Sequence, residues 1–273
     1  MSNSNVKMRY ALVNGKKQLP EAGLHGICPM CGAEVISKCG TVRNPHWAHK
    51  SISDCDSWSE GKTDWHIKWQ DNFPVEWQEV TIRKEECIHR ADVCISDDKG
   101  NPVTVIEFQH SYLEQEDLSA REAFYPGLIW VVDVSEKKRD QKRFEDHKYC
   151  MYKEDAMGHL LRANRLDILF PKTWLNCHAP VFFDFSGFSS EKEQLLYCLY
   201  PNIFDGGERY VGCYTKDEFI AASRSGTIFP RILEICNIIS NHIKAKAEYI
   251  RFVKEKRMNQ LFPGGGSWRP RRL

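Results

Sequence analysis

The sequence predicts an α/β protein, in which helices pack against the faces of a sheet. Residues 61–72 have helical spacing and are followed by three segments rich in β-branched residues. A second helical segment, 112–124, is followed by the apolar run 128–134. Helix, three strands, helix, strand is an order typical of an α/β sandwich. The chain has 273 residues, of which 42% are hydrophobic, so it can bury a substantial core.

Local signals support each of these elements. Trp65, Ile67 and Trp69 give the first helix an apolar face, and Pro74 ends it. The three strands are expected at 79–82, 88–95 and 103–108. The turn residues between the last two predict a hairpin. The run 128–134 is almost wholly apolar, as in a strand buried on both faces.

The flanking regions are less regular. Asn14-Gly15 between two short alternating segments predicts an N-terminal hairpin. Residues 181–185 read as a strand, and 228–253 as a long helix. The expected parts of the chain are a β segment at 1–57, a core at 58–170, a mixed α/β region at 171–250 and a basic tail at 251–273.

Composition excludes several classes of protein. No stretch approaches the ~20 apolar residues of a membrane span, and the polar start of the chain lacks the apolar region of a secretory signal. The eleven cysteines are odd in number and scattered, which favours reduced thiols and a cytoplasmic location. A net charge of +1 neither indicates nor excludes a nucleic-acid partner.

Cysteine and histidine residues cluster between positions 28 and 55. Structural Zn²⁺ prefers thiolate and imidazole ligands in a tetrahedron. The candidate ligands are Cys28, Cys31, His46, His49 and Cys55, with Cys39 a weaker sixth. The favoured set is Cys28, Cys31, His49 and Cys55, because His46 follows Pro45 and can face solvent or substrate. The alternative is a group of buried free cysteines.

Two carboxylates interrupt otherwise apolar strands. A charge in such a strand is costly unless it is paired or bound to metal. Asp92 lies in one arm of the expected hairpin, and Glu107 and Gln109 share a face of the other. Two carboxylates and an amide would then converge, as a hard cation requires. The alternative is that Asp92 pairs with Arg90 or Arg121 and Glu107 faces water.

Five blocks of this sequence resemble the competence protein CoiA family. They are Cys28-Pro-Met-Cys31, His46-Trp-Ala-His49, His89-Arg-Ala-Asp92-Val93, Ile106-Glu107-Phe-Gln109-His-Ser111 and Ile129-Trp-Val-Val-Asp133. The resemblance covers roughly residues 8–134. It implies a restriction-endonuclease-like PD-(D/E)XK core behind an N-terminal zinc-finger-like segment, and a role in DNA processing during competence and recombination, with relatives in mobile elements and defence loci.

The resemblance also implies roles for individual residues. Asp92 and Glu107 would hold catalytic Mg²⁺ or Mn²⁺, supported by Glu60. Gln109 would orient the attacking water where many such nucleases have Lys. His66 would assist the metal site or act as a general acid; otherwise it is a histidine on the helix surface.

The expected function is therefore a metal-dependent deoxyribonuclease with DNA as its substrate and no membrane partner. One alternative is a non-catalytic, zinc-containing nucleic-acid-binding protein with a degenerate nuclease fold. Another is a structural zinc protein that binds a protein partner through its C-terminal half. In the basic tail, Trp268, Arg269, Arg271 and Arg272 are candidates for contacting nucleic acid.

Overall fold

The computed structural model describes residues 7–51, 55–58, 61–135, 137–153, 160–185, 195–201 and 209–261. These residues form two sheets with helices against the larger one, so the predicted mixed α/β class is confirmed. None of the helices in these ranges combines the length and the apolar character that a membrane crossing requires.

The N-terminal segment is a five-stranded antiparallel sheet. Its strands are β1 (Ala11–Val13), β2 (Lys16–Gln18), β3 (His25–Ile27), β4 (Glu34–Lys38) and β5 (His46–His49), in the order β2-β1-β3-β4-β5. The predicted hairpin is present, and Asn14 and Gly15 both have positive φ, as a tight two-residue turn requires. Trp47, Met8 and Val35 fill a small core under this sheet.

The remaining strands form one nine-stranded sheet. They are β6 (Gln78–Lys84), β7 (Cys87–Ser96), β8 (Pro102–Gln109), β9 (Leu128–Asp133), β10 (Met151–Lys153), β11 (Leu161–Ala163), β12 (Val181–Asp184), β13 (Leu195–Leu199) and β14 (Arg209–Thr215). Their order is β10-β11-β14-β13-β12-β9-β8-β7-β6. Strands β6, β7 and β8 are antiparallel neighbours, whereas β8–β9 and β9–β12 are parallel pairs.

Helices cover both faces of this sheet. They are α1 (Asp64–Gln70), α2 (Gln115–Phe124), α3 (Lys138–His147), α4 (Lys216–Arg224) and α5 (Ile228–Leu261). Short 3-10 turns lie at Val75–Trp77, Lys148–Cys150, Leu166–Ile168 and Lys172–Trp174. One core holds side chains of α2 and α3, and the other holds side chains of α1, α4 and the first half of α5. Alternate residues of β9 point to opposite cores, which explains its continuous apolar run.

Three predicted bounds differ from the structure. The helix expected at 61–72 starts only at Asp64, because the Thr63 side chain accepts the His66 amide and caps it. The large sheet continues across position 170, where a domain boundary was expected, because β12 pairs with β9. Helix α5 extends to Leu261, so it includes the first eleven residues of the segment expected to be a basic tail.

Helix α1 is anchored by a buried carboxylate. Asp184 in β12 accepts hydrogen bonds from the indole nitrogens of Trp65 at 2.9 Å and Trp69 at 2.8 Å. The Lys216 ammonium lies 4.2 Å from the centre of the Trp69 ring. These contacts fix the helix across the sheet and turn His66 toward β7.

Candidate active site and metal centre

The adjacent strands β7 and β8 separate where their polar residues lie. Their ladder runs from Ser96–Pro102 to Val93–Ile106. Beyond it, carboxylates bridge the two strands: the Asp92 amide donates to Glu107 Oε1 and the Phe108 amide to Asp92 Oδ2, both at 3.0 Å. The buried amides are thus satisfied by side chains, and the two carboxylates are brought to one place.

Asp92 carries its charge beside two nitrogen groups. Its Oδ1 lies 2.7 Å from Lys62 Nζ and 2.9 Å from His66 Nε2, and those two nitrogens are 2.8 Å apart. Although burial alone would raise the pKa of Asp92, the neighbouring charges of His66 and Lys62 hold it below its usual range. Asp92 is therefore an anion at neutral pH.

Glu107 lies in a different environment. Burial raises the pKa of its carboxyl to about 8, and the charge of Asp92 adds to this effect. Its Oε2 is 3.5 Å from Arg121 Nη1. The Asp92–Arg90 and Asp92–Arg121 pairs weighed from the sequence do not form, since Arg90 faces Glu79 instead. Nor does Glu107 face water, because it is 5% exposed.

The raised pKa of Glu107 predicts how stability depends on pH. The folded protein binds this proton more tightly than the unfolded chain, in which a Glu titrates near 4.3. With no divalent metal added, the free energy of unfolding should therefore fall as pH rises from the ordinary Glu range through about 8. Glu107→Gln, which mimics the protonated form, should make the free energy of unfolding less dependent on pH.

Urea unfolding at about pH 6 and pH 8.5 measures this free energy, with exposed Glu114→Gln as the control. Parallel pH profiles for Glu107→Gln and the unmodified protein would contradict the assignment.

Gln109 is on the same face of β8 as Glu107 and is 3% exposed. Its amide nitrogen donates to the Ser111 carbonyl at 3.2 Å and to the Ser111 hydroxyl at 3.1 Å. These bonds fix the orientation of the amide. An amide carbonyl oxygen is a type of acceptor that can orient a water molecule.

The two carboxylates border a pocket of about 40 Å³. It is lined mainly by polar and charged side chains: Asp56, Trp58, Lys62, Thr63, His66, Arg90, Asp92, Glu107, Phe108, Gln109, His110 and Arg121, together with Gly61. This volume accommodates an ion or water but not a nucleotide, so a substrate would have to present its reacting atoms at the mouth.

In the structure, His66 lies in the interior rather than on the helix surface. It is 9% exposed, and burial lowers its pKa. Its Nε2 lies 2.9 Å from Asp92 Oδ1, so the imidazole positions that carboxylate. Glu60 lies outside the described residues, as do Trp268, Arg269, Arg271 and Arg272.

Sequence reasoning missed Lys62 and Glu79. Lys62 is four residues before His66, a spacing that places both side chains on one side of a helix start. Glu79 is 3% exposed, has a positive φ of 48°, and lies 3.4 Å from Lys62 Nζ. It also accepts the backbone amides of Arg9 and Tyr10. Glu79 could have been found by the same pattern that identified Asp92, namely a carboxylate within a predicted strand.

A histidine at the pocket edge was also missed. His110 Nδ1 lies 2.6 Å from Asp133 Oδ2, and Asp133 is 1% exposed at the end of β9. Asp133 is held in turn by the amide and hydroxyl of Ser135. An imidazole oriented by a buried carboxylate can exchange protons with a group in the pocket.

The N-terminal segment holds a second cluster. One ligand atom from each of Cys28, Cys31, His49 and Cys55 lies within 4.8 Å of the others, so the cluster could hold a metal ion. The ligand atoms are 3.9 Å apart for Cys28 and Cys55, 3.3 Å for Cys31 and His49, and 3.6 Å for Cys55 and His49. Tetrahedral bonds to one zinc would place two sulfurs about 3.8 Å apart, and sulfur and nitrogen about 3.6 Å apart.

The other candidates from the sequence do not join this cluster. His46 Nδ1 is 2.8 Å from the Asn44 carbonyl oxygen, and Cys39 is exposed on the loop after β4. Within the cluster, the hydrogen bond with Cys55 lowers the pKa of Cys28. A thiolate is thus favoured before any metal binds, which suits the ligand chemistry of zinc.

Residues 16–57, which include all four cluster residues, match the family model for competence protein CoiA, N-terminal domain. Over this segment the chain is similar to a CoiA N-terminal domain, and we call the segment the CoiA-type domain. The predicted resemblance to the CoiA-like family is thereby confirmed over this segment, which is less than half the chain. Comparisons with curated proteins and with solved structures gave no match.

The CoiA-type domain is joined directly to the carboxylate pocket. After Cys55, Asp56 accepts from the Trp58 amide and lies 3.1 Å from His89 Nδ1. The Trp58 ring stacks on His89, and its carbonyl accepts from Arg121. Asp56 and Trp58 both line the pocket, so the short connector after Cys55 links the Cys/His cluster to the pocket.

Proposed function

We propose that this protein is a metal-dependent nuclease that hydrolyses phosphodiester bonds in DNA. The observation that carries the proposal is the convergence of Asp92, Glu107 and Gln109 at the point where β7 and β8 separate. The order α1, β6, β7, β8, α2, β9 agrees with the restriction-endonuclease-like core implied by the resemblance. The CoiA family match supports a role in competence. The resemblance also implies recombination, or phage and mobile-element defence, as the setting for DNA processing.

The donor set fits a divalent cation. Mg²⁺ is commonly held by one or two carboxylates together with water and substrate oxygens. Asp92 Oδ1 already attracts an ammonium at 2.7 Å, and Glu107 Oε2 faces a guanidinium. Asp92 and Glu107 would hold Mg²⁺ or Mn²⁺, which supplies Lewis-acid polarisation of the phosphate and an acidified water.

The protein's own residues position the reactants. His66 and the Phe108 amide hold the Asp92 carboxylate from two sides. The fixed amide of Gln109 orients the attacking water through its carbonyl oxygen. Gln109 has no positive charge, and Lys62 supplies one, because Lys62 lines the same pocket and its ammonium lies 2.7 Å from Asp92 Oδ1. There it can stabilise negative charge that develops on the phosphate.

Zinc in the CoiA-type domain would be structural in this proposal. Four protein ligands close the coordination sphere and leave no open position for substrate. The cluster would act by holding the connector that lines the pocket. Elemental analysis of the purified protein should find about one zinc per chain.

The experiment is incubation with single-stranded, nicked and duplex DNA, with Mg²⁺ or Mn²⁺ and with no divalent metal added. We expect cleavage that requires the added metal. DNA binding without cleavage of any of the three forms would instead favour the non-catalytic nucleic-acid-binding protein. Absence of both binding and cleavage would favour a structural zinc protein.

A further inference from the structure

A continuous groove leads from the CoiA-type domain to the carboxylate pocket. Two open clefts, of about 460 and 620 Å³, share Lys7, Val42, Arg43 and His46. The smaller cleft continues to Gly61, Lys62 and Thr63, which also line the carboxylate pocket. We call this depression, from the loop after β4 to Lys62, the basic groove.

Positive charge dominates the basic groove. Its cationic side chains are Lys7, Arg9, Lys38, Arg43 and Lys62, against the single carboxylate of Asp64 among its described lining residues. Arg9 is paired with Asp71, and Lys62 with Asp92. Within the described ranges, Lys7, Lys38 and Arg43 form no ion pair, so their charges face whatever enters the groove.

Hydrogen bonds hold the segments that line the groove in fixed positions. The Asn44 side chain donates to Asp64 Oδ1 at 2.6 Å, joining the loop after β4 to the start of α1. Met8 and Trp47 exchange backbone hydrogen bonds, which tie the approach from Lys7 to β5. The Lys7 ammonium lies beside Gly61, where an added Cβ would come within 3.2 Å of it. The cations of the N-terminal segment therefore keep a fixed distance from the pocket.

The chemistry of the lining identifies the ligand. Apolar contacts come from Met8, Val42, Pro45 and Ile67, and the described lining includes no Phe, Tyr or Trp. Stacking of unpaired bases uses aromatic side chains, whereas Lys and Arg contact phosphates irrespective of base. A row of cations without aromatic side chains suits a phosphodiester backbone.

We propose that the basic groove binds the sugar-phosphate backbone of DNA, without regard to sequence, and leads one strand to Asp92 and Glu107. This inference rests on the proposed function. It assigns the substrate track to the CoiA-type domain, so the zinc segment contributes to DNA binding as well as to folding. The strand would pass Lys38 and Arg43 before reaching Lys62.

The test is a salt titration of DNA binding by the full chain with no divalent metal added. The variant Lys38→Ala/Arg43→Ala removes two exposed groove cations. The matched control, Lys16→Ala/Lys99→Ala, removes two exposed cations at the opposite edge of the small sheet and at the β7–β8 turn. Each phosphate contact contributes about 0.7 to 0.9 to the log–log slope. The groove variant should therefore have a slope shallower by about 1.5, and weaker binding to mixed-sequence, oligo-dT and oligo-dA probes alike.

Curves for the groove variant that superimpose on those of the control would overturn the proposal. A loss confined to one probe sequence would overturn the sequence-independent part. Cleavage is measured separately with Mg²⁺, so the two proposals can fail independently. If binding depends on the groove cations but no cleavage occurs, the groove proposal stands and the nuclease proposal fails. If cleavage occurs but binding does not depend on the groove cations, the nuclease proposal stands and the groove proposal fails.

Discussion

Asp92→Asn is expected to reduce the rate of DNA cleavage by about 10³-fold or more. A carboxylate that holds a catalytic cation contributes several kcal/mol of transition-state stabilisation, and each 1.36 kcal/mol is a factor of ten. Asn keeps an oxygen that can accept the Phe108 amide, so the bridge between β7 and β8 survives. What is lost is the negative charge that Lys62 and His66 now face.

Alanine would be a poorer choice at this position. It would leave the Phe108 amide without its acceptor and the Lys62 ammonium without its nearest partner, and buried unpaired groups cost about 1 to 3 kcal/mol each. Asp98→Asn, at the exposed turn of the same hairpin, is the matched control. Cleavage by folded Asp92→Asn at the rate of Asp98→Asn would remove Asp92 from the mechanism.

Replacement of a cluster cysteine is expected to have the largest effect on stability. Structural zinc contributes its binding free energy to folding. The small sheet has a modest core of its own, centred on Trp47 and Met8. Loss of about 4 kcal/mol in Cys31→Ser would lower the melting temperature by roughly 10 °C. Calorimetry or a thermal scan monitored by circular dichroism measures it.

The control is Cys39→Ser, an exposed cysteine of the same segment outside the cluster. It should leave both the melting temperature and the zinc content unchanged. Because Asp56 and Trp58 follow Cys55 into the pocket, Cys31→Ser should also lose cleavage below its melting temperature. Equal melting temperatures for the two variants would mean that the cluster does not stabilise the fold through metal.

The sequence predicted the elements that carry strong local signals. Asn14-Gly15 specified the first hairpin, and the apolar run at 128–134 specified β9, because a strand buried on both faces needs little polar patterning. The hairpin of β7 and β8 followed from its turn residues, and it placed Asp92 near Glu107. The Cys and His spacing selected four residues that lie together.

Other features depend on contacts between distant parts of the chain. Lys62 precedes the Thr63 cap of α1, and its contact with Asp92 joins residues that are 30 positions apart in the chain. Glu79 is buried because the backbone amides of Arg9 and Tyr10, from the other sheet, donate to it. The short strands β13 and β14 carry no clear period of their own and form by pairing with each other beside β12. The pattern of apolar and polar residues within one segment does not show which distant segment it will contact.

The most direct test of the central claim is to locate bound Mn²⁺ by its anomalous scattering in crystals of the full chain. The proposed nuclease site requires a peak between the Asp92 and Glu107 carboxylates, with Lys62 Nζ moved from its 2.7 Å contact with Asp92 Oδ1. Crystals of Asp92→Asn should lack that peak. A structure at saturating Mn²⁺ in which Lys62 keeps its contact, with no peak at either carboxylate, would contradict the account.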